Sequence, residues 1–126
     1  AGYDWDSYVK YGRQRFLTAP LMKWMFGKYV SDPAQRGNDL MSPVRASAER
    51  LRGLPATLIV VAENDILRDE GEAMGRRLDE AGVEVTTVRF NGVVHDWGML
   101  NGFAALHPTR TLIRLVGSVL RDYLEK

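Results

Sequence analysis

The sequence contains no cysteine, only two histidines and no long hydrophobic run. The lack of cysteine excludes disulfides, thiolate metal sites and a cysteine nucleophile, and it is typical of proteins in a reducing compartment. With so few histidines we also expect no zinc site. No apolar stretch reaches the roughly 18 residues that a membrane-spanning helix requires. We therefore predict a cytoplasmic protein that binds no metal and does not cross a membrane.

The chain also lacks an excess of either charge. Its 17 Lys and Arg residues are nearly matched by 16 Asp and Glu residues, and no basic run occurs. We therefore expect no nucleic-acid partner. The 126 residues, 45% of them hydrophobic, are typical of one globular domain or part of one. Because the first residue is Ala1 rather than Met, we expect that the chain is not the start of a gene product.

Several catalytic and cofactor motifs are missing as well. Neither G-x-G-x-x-G nor G-x-x-x-x-G-K-[ST] occurs, so we expect no nucleotide cofactor, and no other cofactor is indicated. The nucleophile elbow G-x-S-x-G of serine hydrolases is absent too. No serine lies on a glycine-rich turn between a strand and a helix. The five serines are Ser7, Ser31, Ser42, Ser47 and Ser118.

Residues 1–53 read as helix and loop without a strand. Thr18 is a suitable N-cap and Pro20 fits the first turn of a helix, in which apolar residues recur at helical spacing as far as Val30. The pair Asp32-Pro33 ends that pattern, and a short helical segment then precedes Gly53. We predict a cap-like segment that covers another part of the fold.

Residues 54–126 predict a βαβ unit followed by a long helix. Residues 57–62 form a continuous β-branched run, which indicates a parallel strand buried on both faces. Residues 69–81 predict a helix that ends before Gly82, and residues 84–90 predict a second strand nearer the sheet edge. Residues 108–124 carry an apolar stripe at helical spacing. The predicted fold class is α/β, and the crossover should be right-handed.

Two loops follow the predicted strands, and each contains a residue capable of proton chemistry. Asp65 comes three residues after the first strand, and His95 follows the turn Asn91-Gly92, five residues after the second. Parallel neighbours end on the same sheet edge, roughly 4.8 Å apart. A carboxylate there can accept a hydrogen bond from imidazole Nδ1, which leaves Nε2 free to act as a general base.

Structural roles for these residues stay open at this point. Asp65 could cap the helix that follows it, and His95 could be an ordinary turn residue. Asp96 is the chief competitor of Asp65 as the partner of His95, although neighbours on a loop seldom face each other. Glu63 is a further candidate. We interpret His107 as structural, and Asp69 and Glu70 as helix-start residues.

The same loops resemble a known family. The run GLPATLIVVAENDILRDEGEA over residues 53–73 is similar to the C-terminal half of the hormone-sensitive-lipase-like carboxylesterases, a branch of the α/β-hydrolases. Residues 81–86 and 89–95 are similar to that family's A-G-V-x-V-T and R-Y-x-G-x-x-H. The chain departs from the family pattern at Ala56, Ile66 and Asp96-Trp97, where Pro, Pro and Gly-Phe are usual.

The resemblance implies that Asp65 is the acid and His95 the base of a catalytic triad. It also implies that the nucleophilic serine and the H-G-G oxyanion loop lie N-terminal to these 126 residues. The chain is then the C-terminal portion of one hydrolase domain and inactive alone, with a small-molecule ester as the substrate of the whole. Met22, Met25 and Phe26 are expected near the substrate pocket.

Two other functions fit the same residues. One is the C-terminal part of a serine peptidase on the α/β-hydrolase fold, which carries acid and base on equivalent loops. The other is a non-catalytic interaction module. Two strands leave an open sheet edge, so we expect the chain to be held by the missing N-terminal half, by segment swapping or by self-association into a homo-oligomer.

Overall fold

The computed structural model describes residues 3–13 and 15–125 as a two-stranded parallel sheet with helices around it. The N-terminal part contains the helices α1 (Asp6–Tyr11), α2 (Ala19–Tyr29) and α3 (Ala48–Leu51). Short 3-10 turns occupy Pro33–Gly37 and Pro43–Arg45. Within the described residues this part contains no strand, as predicted.

The second part has the predicted order of strand, helix, strand and helix. Its elements are β1 (Thr57–Asn64), α4 (Arg68–Glu80), β2 (Val85–Val94) and α5 (His107–Leu124), with a 3-10 turn at Asn101–Phe103 before α5. The two strands are parallel and pair from Thr57 with Val85 to Ala62 with Phe90. The predicted α/β class and parallel pairing are confirmed.

Local sequence explains where several helices begin and end. The Thr18 hydroxyl caps α2 by accepting the Leu21 N–H, and Asp32 caps the following 3-10 turn. Gly82 follows the C-cap of α4 with a φ of 80°, a left-handed conformation that glycine adopts without strain. These helix ends agree with the sequence prediction.

The second strand is longer than predicted. Its register against β1 shifts between Ala62 and Asn64, so that Asn64 pairs with Val94. The pair Asn91-Gly92 therefore lies within an irregular part of β2 and does not form a turn after the strand. Gly92 accommodates the irregularity with a φ of 75°, and its N–H donates to Glu63 Oε2 at 2.7 Å. His95 consequently follows the strand directly.

Helix α4 lies very close to the sheet. A Cβ added at Gly71 would approach Val61 Cγ1 to 2.7 Å, and one at Gly75 would overlap the Thr87 hydroxyl. Beside this contact, buried apolar residues from α3, α4 and the segments next to these helices form one cluster. Its members are Ala46, Leu51, Leu78, Ala81 and Val83. The glycines thus let the helix fix the βα loop that carries Asp65.

The sheet is less buried than the apolar run of β1 predicted. Only Val61 and Ala62 of β1 are buried, and the other residues of the strand are partly exposed. Most of the apolar stripe on α5 is also partly or fully exposed, and Thr109 is the buried residue of that helix. The strand β1 and the apolar stripe of α5 therefore have apolar area that residues 3–13 and 15–125 do not cover.

Candidate active site

Both oxygens of the Asp65 carboxylate have a partner, one in the loop after β1 and one in the loop after β2. Oδ1 accepts the N–H of Leu67 at 2.9 Å, and Oδ2 contacts His95 Nδ1 at 2.8 Å. Asp65 is 8% exposed. The Leu67 bond closes a turn before α4 and is not a helix cap, because Leu67 itself is the N-cap residue of α4 and no side-chain cap hydrogen bond is made there. The capping role considered for Asp65 is therefore wrong, whereas the histidine contact is present.

Residues distant in the sequence secure the Asp65 loop. Ile66 is fully buried in an aromatic cluster with Tyr8, Tyr11 and Leu17. The Ser7 hydroxyl donates to the Ile66 carbonyl at 2.6 Å. This bond spans 59 positions of sequence and ties α1 to the turn beside Asp65. No motif in residues 1–53 pointed to Ser7.

The first turn of α4 adds charged contacts to the same loop. The Ser7 N–H donates to Asp69 Oδ2 at 2.7 Å, while Arg68 pairs with Asp69 Oδ1 and donates to the Glu63 carbonyl. Burial acts to raise the pKa of Asp69, but the hydrogen bonds from Arg68 and Ser7 outweigh it and lower that pKa. Asp69 therefore stays ionised and fastens the helix start, as its sequence position predicted.

His95 follows β2, and the packing of its neighbours fixes the loop. Trp97 is 6% exposed and packs against Phe90 with their ring centroids 5.4 Å apart, in a cluster that includes Ala62 and Val93. This packing turns the His95 side chain toward Asp65, on the edge where both strands end.

The electrostatics favour the protonated imidazole. The hydrogen bond with Asp65 raises the pKa of His95 above its ordinary value, burial opposes that rise, and the charges of Asp65 and Asp96 add to it. With Asp65 bonded to Nδ1, the neutral ring carries its proton on that atom and presents the Nε2 lone pair. Such a ring can act as a general base at Nε2.

Asp96 lies closer to His95 than sequence reasoning expected. Its Oδ1 atom is 3.3 Å from His95 Nε2, so the two loop neighbours do face each other. The reason is the backbone: Asp96 has a φ of 59°, which turns its side chain back toward the ring. Glu63, the other candidate partner, instead accepts the Gly92 N–H and supports the irregular part of β2.

An apolar groove of about 730 Å³ opens beside the pair. Strand β1, the His95 loop and α5 line it, with Asp65, His95 and Asp96 at one end. Residues expected near the substrate pocket do not line this groove: Met22 packs on the aromatic cluster around Ile66, and Phe26 pairs with Tyr29. His107 lies exposed at the start of α5.

Among residues 3–13 and 15–125 there is no cluster of three or more His, Cys, Asp or Glu side chains that could bind a metal ion. The same residues include no helix long and apolar enough to cross a membrane.

Comparison with known proteins identifies the fold family. Residues 2–99 match the family model of the alpha/beta hydrolase fold. The chain belongs to this family. Among curated relatives, it is 37% identical over 94 residues to an arylesterase of Saccharolobus solfataricus, covering 75% of this chain and 28% of the relative. It is 36% identical over 91 residues to an ethyl acetate hydrolase of Pseudomonas putida, covering 72% and 28%.

Solved structures agree with this assignment. A thermostable esterase from Pseudomonas putida ECU1011 superposes with a TM-score of 0.96 at 43% identity, covering 98% of this chain and 39% of that chain. A hyperthermophilic esterase from the archaeon Pyrobaculum calidifontis gives 0.86 at 34% identity, with 98% and 39% covered. The chain thus spans about a third of the length of the curated relatives it matches. The carboxylesterase resemblance predicted from the motifs is confirmed.

Proposed function

We propose that this chain supplies the acid and the base of a serine carboxylesterase. Asp65 orients His95, and His95 Nε2 takes the proton of a serine hydroxyl as that serine attacks the ester carbonyl. The same nitrogen then returns the proton to the departing alcohol, and water later hydrolyses the acyl-enzyme. The observation that carries the proposal is the 2.8 Å contact between His95 Nδ1 and Asp65 Oδ2 beside an apolar groove.

The serine and the oxyanion donors are proposed to come from a segment outside these 126 residues. None of the five serines lines the groove beside His95 Nε2. The edge of β1 opposite β2 has no partner strand in the described chain, and the groove lies between that strand and α5. An additional parallel strand on this edge would extend the sheet and bring its C-terminal loop to the sheet edge where Asp65 and His95 meet. We call the chain together with that segment the assembled hydrolase.

Esters with small or medium apolar groups suit the groove best. Its walls are aliphatic residues of β1 and α5 together with Trp97 and Met99. The relatives named above are an arylesterase and an ethyl acetate hydrolase, which favours an ester over a peptide substrate. The cytoplasmic location predicted from composition belongs to the same proposal.

Fluorophosphonate labelling, followed by mass spectrometry, tests this proposal. The probe reacts with an activated serine, so the assembled hydrolase should be labelled outside the 126 residues, and the chain alone should remain unlabelled. His95→Gln should abolish labelling because the serine loses its base. His107→Gln is the matched control and should label normally, since His107 is exposed and lies outside the groove.

Two results would overturn the proposal. A label on one of the five serines of this chain would show that the nucleophile is internal. Normal labelling of the His95→Gln variant would show that His95 is not the base.

A further inference from the structure

The imidazole of His95 has a carboxylate at each of its two nitrogens. Asp65 Oδ2 is 2.8 Å from Nδ1, and Asp96 Oδ1 is 3.3 Å from Nε2. A catalytic acid explains the first contact. The second contact involves the nitrogen that must accept the serine proton, and the proposed acid–base pair does not require it.

The backbone maintains Asp96 in this position. Within the described residues it is the non-glycine residue with a left-handed φ, at 59°. Asp and Asn adopt this conformation more readily than most residues. The Asp96 carbonyl accepts the Met99 N–H at 2.9 Å, and the buried Trp97 follows it directly. The loop is therefore fixed on both sides of the carboxylate.

The charges around His95 make this contact dependent on protonation. The loop after β1 contributes Asp65, and the His95 loop contributes Asp96. The remaining described residues that line the groove are uncharged: β1 contributes aliphatic residues and α5 contributes Leu112, Ile113, Val116, Gly117 and Leu120. None of the described lining residues is Lys or Arg, so an imidazolium is the lining group that can donate to both carboxylates.

A neutral ring behaves differently at its two nitrogens. It donates its Nδ1 proton to Asp65 and turns the Nε2 lone pair toward Asp96, and two acceptors then face each other. We propose that Asp96 is a positioning residue that accepts a hydrogen bond from the protonated Nε2 of His95. Asp96 thereby competes with the serine hydroxyl for Nε2 before attack and stabilises the imidazolium after it.

This inference rests on the proposed function for its catalytic consequence but not for its test. His95 takes a proton from the serine onto Nε2, and this N–H donates the hydrogen bond to Asp96. The proton stays on Nε2 until the leaving alcohol receives it. Asp96 accepts a hydrogen bond and never takes the proton. Its removal should lower the pKa of His95 because the charged ring loses one of its two acceptors.

NMR titration of the 126-residue chain tests the contact directly. The chain has two histidines, so His95 can be followed with His107 as an internal reference. In Asp96→Asn we expect the pKa of His95 to fall by roughly 0.5 to 1, at the low end of charge-pair effects because the Asp96 side chain is 39% exposed. Asp96→Gly should give the same fall, and glycine adopts this φ without strain.

Asp79→Asn is the matched control. It removes one carboxylate from the exposed far end of α4, ten residues beyond Asp69, which lies at the helix start. At about 1.5 Å per residue, Asp79 lies roughly 15 Å along the helix from Asp69, at the end of α4 away from the Asp65 loop, and charges separated by that distance are largely screened in ordinary buffer. An equal pKa of His95 in Asp96→Asn, Asp96→Gly and Asp79→Asn would overturn the proposal.

The assembled hydrolase provides a second readout. In Asp96→Asn the acid limb of the pH dependence of kcat/KM should move to lower pH, in step with the pKa of His95. A merely structural role would reduce kcat/KM without moving the limb, and that result would contradict the inference. If the titration shows the fall in pKa while fluorophosphonate labelling fails, the Asp96 contact stands and the esterase proposal falls alone.

Discussion

The loops that carry Asp65 and His95 meet at one sheet edge but are fixed in different ways. The Asp65 loop is anchored from a distance: Ile66 is fully buried and Ser7 of α1 binds its carbonyl. The His95 loop depends on its own neighbours, with Trp97 packed on Phe90. Beyond Trp97 the chain becomes exposed, and Met99 is 84% exposed.

In the proposed mechanism, this difference suits the two loops to separate tasks. An acid that orients a base must itself stay in place, and the Asp65 side chain is 10% exposed. The base must meet substrate and a serine hydroxyl, and the His95 side chain is 24% exposed next to the groove. Under that proposal, the more buried loop supplies orientation, and the more open loop supplies the reacting nitrogen.

Removing the buried Ile66 side chain should have the largest effect on the difference between the two loops, because it removes the anchor of the Asp65 loop. Ile66→Ala deletes a fully buried side chain, so we expect the free energy of unfolding to fall by about 2–5 kcal/mol. The matched control Ile113→Ala truncates a side chain that is 61% exposed and should change stability by about 0.5 kcal/mol or less. Urea unfolding of both variants measures the difference. Equal losses would show that Ile66 is not the anchor.

Removing the Ser7 hydroxyl, which donates to the Ile66 carbonyl and accepts the Asp69 N–H, should loosen the Asp65 loop with a smaller effect on stability. Ser7→Ala leaves the buried Ile66 carbonyl without its 2.6 Å donor, which should cost about 1–2 kcal/mol. Hydrogen exchange at Leu67, whose N–H binds Asp65 Oδ1, should accelerate because the turn opens more often. The exposed Ser31→Ala provides the control. Unchanged exchange in Ser7→Ala would mean that α1 does not secure the Asp65 loop.

Local sequence was sufficient to predict the elements that position the pair. Two short patterns were enough: the β-branched run before Glu63 and the glycine after α4. They were combined with the rule that ligands meet the carboxyl ends of parallel strands. They predicted that Asp65 and His95 would lie at one edge, where the structure brings them into contact. Their catalytic role remains a proposal.

Features that depend on tertiary contacts were not predictable in this way. The continuation of β2 through Gly92 requires the Glu63 carboxylate from the neighbouring strand. The bond from Ser7 to Ile66 joins residues 59 positions apart, and no local pattern encodes it. Asp96 was a candidate from the sequence, but its approach to Nε2 depends on a left-handed backbone that few non-glycine residues adopt, and the sequence does not show which residues do.

The most direct test of the account is the turnover of a simple ester by the assembled hydrolase with Asp65→Asn. The amide can still accept the Leu67 N–H, but its NH₂ group faces Nδ1 and selects the tautomer whose Nε2 carries a proton. We expect kcat to fall by about 10⁴, while Asp79→Asn remains near wild type. Near-normal turnover of Asp65→Asn would contradict the account and would leave Asp96 or Glu63 as the acid.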